Sequence, residues 1–182
     1  NDGKVKAIVS ELLDKAQREI GEPITEIVVG LSGKAIHCKD VPCQGRRRNP
    51  ADYISQEEVD HLTKSQFNTV LENGDSVYEV SPQRYNIDDI VGIPQSDIIG
   101  MTGNTIEAEF KVFSGKRAIM DHRRVVLDGC GIRISKAVLA SVASARAVLT
   151  RPEMENGAAL VDIGKSCTEV AVVKDNIVRH VA

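Results

Sequence analysis

The 182-residue chain has no Trp and only three Tyr and three Phe. Proteins that hold single-stranded nucleic acid stack bases on aromatic rings, so this scarcity argues against that class. An excess of positive charge is missing as well. The 23 Lys and Arg are outweighed by 26 Asp and Glu, for a net charge of -3, whereas phosphate-backbone binding needs cations gathered on one face. No nucleic-acid partner is expected. Four cysteines, at 38, 43, 130 and 167, form neither a paired CxxC zinc pattern nor the dense framework of a small secreted domain. They read as reduced thiols of a cytosolic protein. No run approaches the ~18 apolar residues of a membrane helix, and no charged-then-apolar signal opens the chain. Core material is not lacking: 42% of residues are hydrophobic, which excludes global disorder and supplies one domain or two small ones. The chain opens at Asn1 without Met and stops at Val181-Ala182 in a strand-like run, so an excised piece of a longer protein is expected.

Apolar spacing sorts the chain into elements. Val5, Ile8, Val9, Leu12, Leu13, Ala16 and Ile20 recur at helical intervals behind Asn1-Asp2, with Asp2 as N-cap and Gly21 as stop. Pro23 introduces an Ile- and Val-rich strand over 24–31, closed by Ser32-Gly33. Residues 37–55 hold Pro42, Gly45, Arg46, Arg47, Arg48, Asn49 and Pro50 and predict a polar, mobile excursion. Ser55-Gln56-Glu57-Glu58 matches a capping box ahead of Val59, Leu62, Phe67, Val70 and Leu71, a helix ended by Asn73-Gly74. Residues 77–87 predict a strand interrupted at Pro82, and 88–104 a loop. Ile106, Ala108, Phe110 and Val112 alternate with charged residues, as a half-buried strand does. Helices are expected over 116–127 and 137–149. The nearly all-apolar run 158–163 predicts a strand buried on both faces, and 168–173 and 177–181 complete a meander. The fold class is α/β or α+β, without repeats.

Chemistry concentrates at the first turn of that meander. Asp162 ends an apolar strand and Gly164 follows in a hairpin. Glycine lets backbone approach a ligand closely, and consecutive N–H groups in such a turn make an anion-binding concavity. Asp162 would then hold Mg2+ through water, since that ion keeps much of its hydration shell. The same residues also suit a plain hairpin whose Asp caps a turn. Gly45-Arg46-Arg47-Arg48-Asn49 reads either as a contact for anionic lipid or protein, or as a solvated loop tip. Lys116, Arg117, His122, Arg123 and Arg124 read as a solvated helix face or a polymer contact. His37, Cys38 and Cys43 fall short of the four ligands of a zinc site. Ser32, Asp121, His122 and Ser135 follow no catalytic-triad order. Gln83 and Tyr85 read as a protein-binding face, or Tyr85 as packed.

Motifs in order along nearly the whole chain resemble the FtsA family, the actin-like ATPases of bacterial cell division. Val28-Val29-Gly30-Leu31-Ser32-Gly33, with Ala35-Ile36 after it, resembles V-x-G-[IL]-[ST]-G and its H-I. Gln83-Arg84-Tyr85-Asn86-Ile87-Asp88 resembles Q-x-Y-x-[IV]-D. Gly100-Met101-Thr102-Gly103, followed two residues later by Ile106-Glu107-Ala108, resembles G-[ML]-[ST]-G and the [LM]-[EQ]-[AV] after it, and Cys130-Gly131-Ile132 resembles C-G-[LI]. Ala140-Ser141, Ala147-Val148-Leu149-Thr150, Glu153 and Gly157 resemble A-S-x5-A-V-L-T-x2-E-x3-G. Residues 160–170 resemble the second phosphate hairpin, D-I-G-G-G-T-x-D-[IL]. A second resemblance is to PilM of type IV pilus assembly, which shares the inserted-unit plan; the A-V-L-T and Q-x-Y-x-[IV]-D matches favour FtsA.

The FtsA resemblance implies an actin-like partial fold interrupted by an inserted strand-helix-strand-strand (SHS2) unit called 1C. Residues 1–22 would be the N-terminal helix of subdomain 1A, 23–133 the insert, and 134–182 a 1A segment with the phosphate hairpin. It implies ATP and Mg2+ in the parent protein, with Asp162, Gly164, Lys165, Ser166 and Thr168 around the phosphates and Asp162 on the metal's water. It further implies actin-like self-association, late division proteins on 1C, FtsZ on a subdomain outside these residues, and a C-terminal amphipathic helix beyond them at the membrane. The place would be the cytoplasmic face of the inner membrane at the division septum. The hairpin departs from the family pattern: Lys165, Ser166 and Cys167 replace Gly, Gly and Thr, Thr168 is displaced by one position, and Glu169 stands for Asp. A displaced residue in a strand faces the other way, and a thiol is a poor hydrogen-bond partner, although Lys165 supplies a point charge. The expectation is weak binding or slow hydrolysis by the parent, and neither by these residues alone.

Overall fold

The computed structural model describes residues 2–33, 36–71 and 74–182. It opens with helix α1 (Asp2–Ile20). Gly21 ends this helix as expected, turning to φ 75° and donating its N–H to the Gln17 carbonyl at 2.9 Å. Asp2 lies inside the first turn rather than capping it, where its carboxylate suits the positive end of the helix dipole; Asn1 lies outside the described residues. Val9, Leu13 and Ala16 are half-buried, while Val5, Ile8, Leu12 and Ile20 are exposed.

Strand β1 (Glu26–Leu31) follows and pairs in parallel with β6 (Arg133–Leu139), from Glu26 opposite Arg133 to Leu31 opposite Leu139. β6 corrects the expectation of helix from 137 onward: helix α5 begins at Ala140 and runs to Val148. Residues 133–139 have weak alternation, and they become a strand because β1 offers a paired edge more than 100 residues away in sequence. Just before β6 in the chain, α4 (Arg117–Asp128) lies where the spacing predicts and buries Met120, Val126 and Leu127. α6 (Arg151–Asn156) carries a capping box in which Thr150 and Glu153 bond each other reciprocally.

The segment between β1 and α4 forms a four-stranded antiparallel sheet in the order β2-β5-β3-β4. Its strands are β2 (His37–Arg46), β3 (Asp75–Ile87), β4 (Ile90–Ile93) and β5 (Thr105–Lys116). Two corrections arise here. Residues 37–46 are a ten-residue strand, not a mobile excursion, registered on β5 from His37 opposite Ser114 to Arg46 opposite Thr105. Pro42 fits because β2 lies at the sheet edge, where a missing N–H costs no ladder bond. Pro82 does not interrupt β3 either; the register shifts between Pro82 and Arg84, a bulge, and β4 pairs with β3 only beyond it, at Tyr85 and Ile87. The segment 88–104, expected as loop, holds β4 and the single-turn helix α3 (Gln95–Ile98). Helix α2 (Gln56–Ser65) is capped by Ser55, whose hydroxyl accepts the Glu58 N–H at 3.2 Å; it is followed by a short 3-10 turn at Gln66–Asn68. It therefore stops before the expected Asn73-Gly74, of which Asn73 lies outside the described residues. The reciprocal half of this expected capping box is absent, because Glu58 is drawn to Arg47 instead.

The meander β7 (Ala158–Ile163), β8 (Thr168–Lys174) and β9 (Ile177–Val181) forms as expected. Asp175 and Asn176 both take positive φ (55° and 59°), as a tight two-residue hairpin turn requires. One expectation fails: β7 is not buried on both faces. Its alternate residues Val161 and Ile163 are 52% and 80% exposed, because among the described residues β8 alone pairs with it and no element covers that face. Two cores result. One joins Leu31, Leu139, Val142, Ala171 and Val181 with Phe113. The other lies within the inserted sheet, where Ile54, Val59, Tyr85, Ile106 and Phe110 meet.

Candidate functional site

The β7–β8 hairpin sets Asp162 opposite Glu169 and Ile163 opposite Thr168. Directly opposed residues of an antiparallel pair share a face, so Asp162 and Glu169 lie on one face of the hairpin and Thr168 on the other. The Gly164 N–H donates to the Cys167 carbonyl at 3.0 Å and closes the turn. A Cβ at Gly164 would stand 3.0 Å from that same oxygen, so a bare α-carbon suits this close approach. Asp162, Gly164, Lys165, Ser166 and Thr168 are all exposed. The structure thus brings Asp162, Gly164, Lys165 and Ser166 to one tip and separates Thr168 from Asp162.

Glu169 has a role that sequence reasoning did not assign. It is 8% exposed, and its carboxylate accepts the N–H of Gly33 at 3.0 Å. Gly33 sits just past β1, with φ 111°. The partners lie 136 positions apart, and the one signal was Glu169 occupying the acidic position of the hairpin pattern.

The remaining candidates resolve into packing and internal contacts. Arg46 and Arg48 are exposed, but Arg47 is buried, which corrects the reading of 45–49 as a solvated tip. Its guanidinium donates to both Glu58 oxygens (2.8 and 3.1 Å) and to the carbonyls of Asp52 and Gly103. This fork of charge-assisted bonds spans three segments of the insert. Tyr85 is buried edge-on to Phe110, ring centroids 6.4 Å apart, so it packs rather than lining a surface. Gln83 donates to the Val178 carbonyl at 3.0 Å and accepts from Arg179 at 3.2 Å, joining β3 to β9. On α4, His122 lies 3.3 Å from Asp2 and Arg124 3.5 Å from Asp121, and Arg123 reaches the Gly30 carbonyl at 3.5 Å. Burial pushes the Cys38 thiol up, away from a reactive thiolate. Among the described residues no three His, Cys, Asp or Glu side chains come together as a metal site.

A parallel pair whose two strands are separated in sequence by a four-stranded antiparallel sheet carrying helix α2, followed by a meander, defines an actin-like partial fold with an inserted subdomain. Comparison with known proteins agrees. The SHS2 domain inserted in FtsA matches residues 33–114, from the end of β1 almost to the end of β5. Over most of its length the chain is FtsA-like. It is 26% identical to the cell division protein FtsA of Escherichia coli (strain K12) over 176 residues, covering 94% of this chain and 40% of that protein. FtsA of Pseudomonas aeruginosa is 28% identical over 178 residues, with 96% and 41% covered. FtsA of Neisseria meningitidis serogroup B is 24% identical over 179 residues, with 98% and 42% covered. The chain therefore spans about two fifths of the length of the curated relatives it matches. A solved chain of a PilM-PilN type IV pilus biogenesis complex superposes with a TM-score of 0.60 at 14% identity, covering 97% of this chain and 47% of that one. That likeness is one of fold.

Proposed function

We propose that the chain is the assembly portion of an FtsA-like cell-division protein, its inserted sheet making contacts within an actin-like polymer and with later division proteins. The observation that carries this reading is the insert itself: it has its own core and exposes large apolar side chains, Tyr53, Ile90 and Val91. Binding of FtsZ and attachment to the membrane, through an amphipathic C-terminal helix, belong to parts of an FtsA-like protein outside these 182 residues. Among the described residues no helix is long and apolar enough to cross a membrane. The working place in this reading is the cytoplasmic face of the inner membrane at the division septum.

ATP and Mg2+ belong to the longer protein in this reading, and the hairpin residues test the fit. Exposed Asp162 suits a water-mediated Mg2+ contact, and Lys165 suits a phosphate as a point charge. Thr168 turns its hydroxyl to the other face, while Glu169 sets a second carboxylate beside Asp162, which opposes a phosphate. The cradle is incomplete, so no catalytic step is derived from it. A ligand that binds only the native state raises its stability with concentration. Calorimetry and thermal unfolding with Mg-ATP are expected to give no response from the 182-residue chain. Micromolar binding by that chain alone would make it a nucleotide-binding unit instead. Val91→Asp in the full-length protein is expected to weaken self-association measured by sedimentation, and unchanged assembly would remove the insert from the contact.

A further inference from the structure

Glu169 joins the two parts of the molecule that the proposed function treats separately. Its strand, β8, is the middle of the meander, and its cross-strand neighbour is Asp162 of the hairpin. Its carboxylate leaves that hairpin to accept the Gly33 N–H. The match to the inserted domain begins at residue 33, and the chain there takes φ 111°, a conformation that only glycine adopts readily. A second bond shapes the same root: Ile36 donates its N–H to the Gly33 carbonyl at 3.2 Å, just before β2 begins. A carboxylate that is 8% exposed has little water to fall back on when it loses this donor.

We propose that Glu169 is a strap tying the root of the inserted domain to the hairpin, so that a change in the hairpin's shape or charge is passed to the insert. Opposed side chains in an antiparallel pair stand ~5 Å apart at Cβ. A cation held at Asp162 therefore competes with Gly33 for the Glu169 carboxylate. Any bending of the turn at Gly164 moves β8, and with it the strap. The cation route rests on reading the hairpin as a Mg-phosphate site; the mechanical route does not.

The test is hydrogen exchange of backbone amides, followed residue by residue by NMR on the 182-residue chain. Glu169→Ala is expected to speed exchange at Gly33 and Ile36 by about tenfold relative to α4 amides, the factor for one lost charge-assisted bond. Glu169→Gln, which still carries a carbonyl acceptor, is expected to stay within about threefold of the unsubstituted chain. Gly164→Ala, which brings its Cβ against the Cys167 carbonyl, is expected to change Gly33 exchange, but not when Glu169 is already Ala. An unchanged Gly33 rate in Glu169→Ala, or an equal rise over the whole chain, overturns the strap. So does a Gly164→Ala effect that persists without Glu169. Adding MgCl2 with ADP to the full-length protein, where the proposed function places nucleotide binding, then reads the other route. A Gly33 response in the unsubstituted full-length protein that is lost in Asp162→Asn supports both readings. No response, alongside positive results from the variants, sinks the Mg-phosphate reading and leaves the strap standing.

Discussion

Asp88 occupies a left-handed backbone position, φ 48°, and its carboxylate accepts the N–H groups of Asn104 (3.0 and 3.1 Å) and Thr105 (2.8 Å). Those backbone donors hold its carboxyl below the usual range. A depressed pKa contributes stability that is complete above the unfolded value of about 3.9 and is lost as pH falls through the folded value. Asp88→Asn tolerates the same φ but cannot titrate there. The difference in stability between the two proteins should be constant above pH ~5 and shrink below pH ~4 in acid unfolding curves. Arg47 is a stronger single determinant, with its side chain 4% exposed and its bonds directed inward to Glu58, Asp52 and Gly103. Arg47→Met leaves Glu58 and two carbonyls without their donor and should cost about 3 kcal/mol, read as a lower urea midpoint. None of this was legible in the run Gly45-Arg46-Arg47-Arg48-Asn49. Three adjacent arginines look alike in sequence, and the choice of the middle one follows from strand alternation and from Glu58 on a helix not yet placed. Glu169 shares that limit, since a buried carboxylate is identified by its partner and the partner is distant.

At the level of elements, sequence periodicity succeeded where burial is one-sided and failed where pairing decides. β5 alternates buried and half-buried residues from Ile106 to Val112, and α4 and the Asp175-Asn176 turn lie where spacing and turn chemistry put them. β2, β4 and β6 were missed because their signals are supplied by neighbours: an edge against β5, a short hairpin on β3, and a parallel partner in β1. β7 was over-read, since an apolar run states what a strand tolerates, not what covers it. Ile163→Thr should therefore change the stability of this chain by no more than about 0.5 kcal/mol in denaturant unfolding, the behaviour of an exposed position. Thr150→Ala, which dismantles the reciprocal cap of α6, should cost about 1 kcal/mol by the same measurement. The hairpin itself was placed correctly, and its alternation, with Thr168 turned away from Asp162, follows from the one-residue displacement seen in the sequence.

For the whole molecule, β5 is the common member of two cores: Phe110 and Val112 belong to the inserted sheet's interior, and Phe113 to the core shared with the meander. Phe110→Ala should cost about 3–4 kcal/mol and lower exchange protection first within the insert, whereas Phe113→Ala should lower it first in β1, β6 and β9. Amide exchange resolved along the chain separates the two patterns. The FtsA-like architecture was legible from ordered motifs, while the internal ties between insert and body, Gln83 to Arg179 and Glu169 to Gly33, were not. The edge position of Pro42 carries a consequence for how copies of this molecule behave in crowded solution. A ten-residue strand with one unpaired side is a template on which another chain can grow a sheet. A proline at its midpoint, flanked by the Asp40–Lys111 ion pair, interrupts that template without disturbing the β5 side. The residue that made this segment look unstructured thus acts as its guard against fibre-like stacking, and Pro42→Val should convert a clear concentrated solution into one that scatters light.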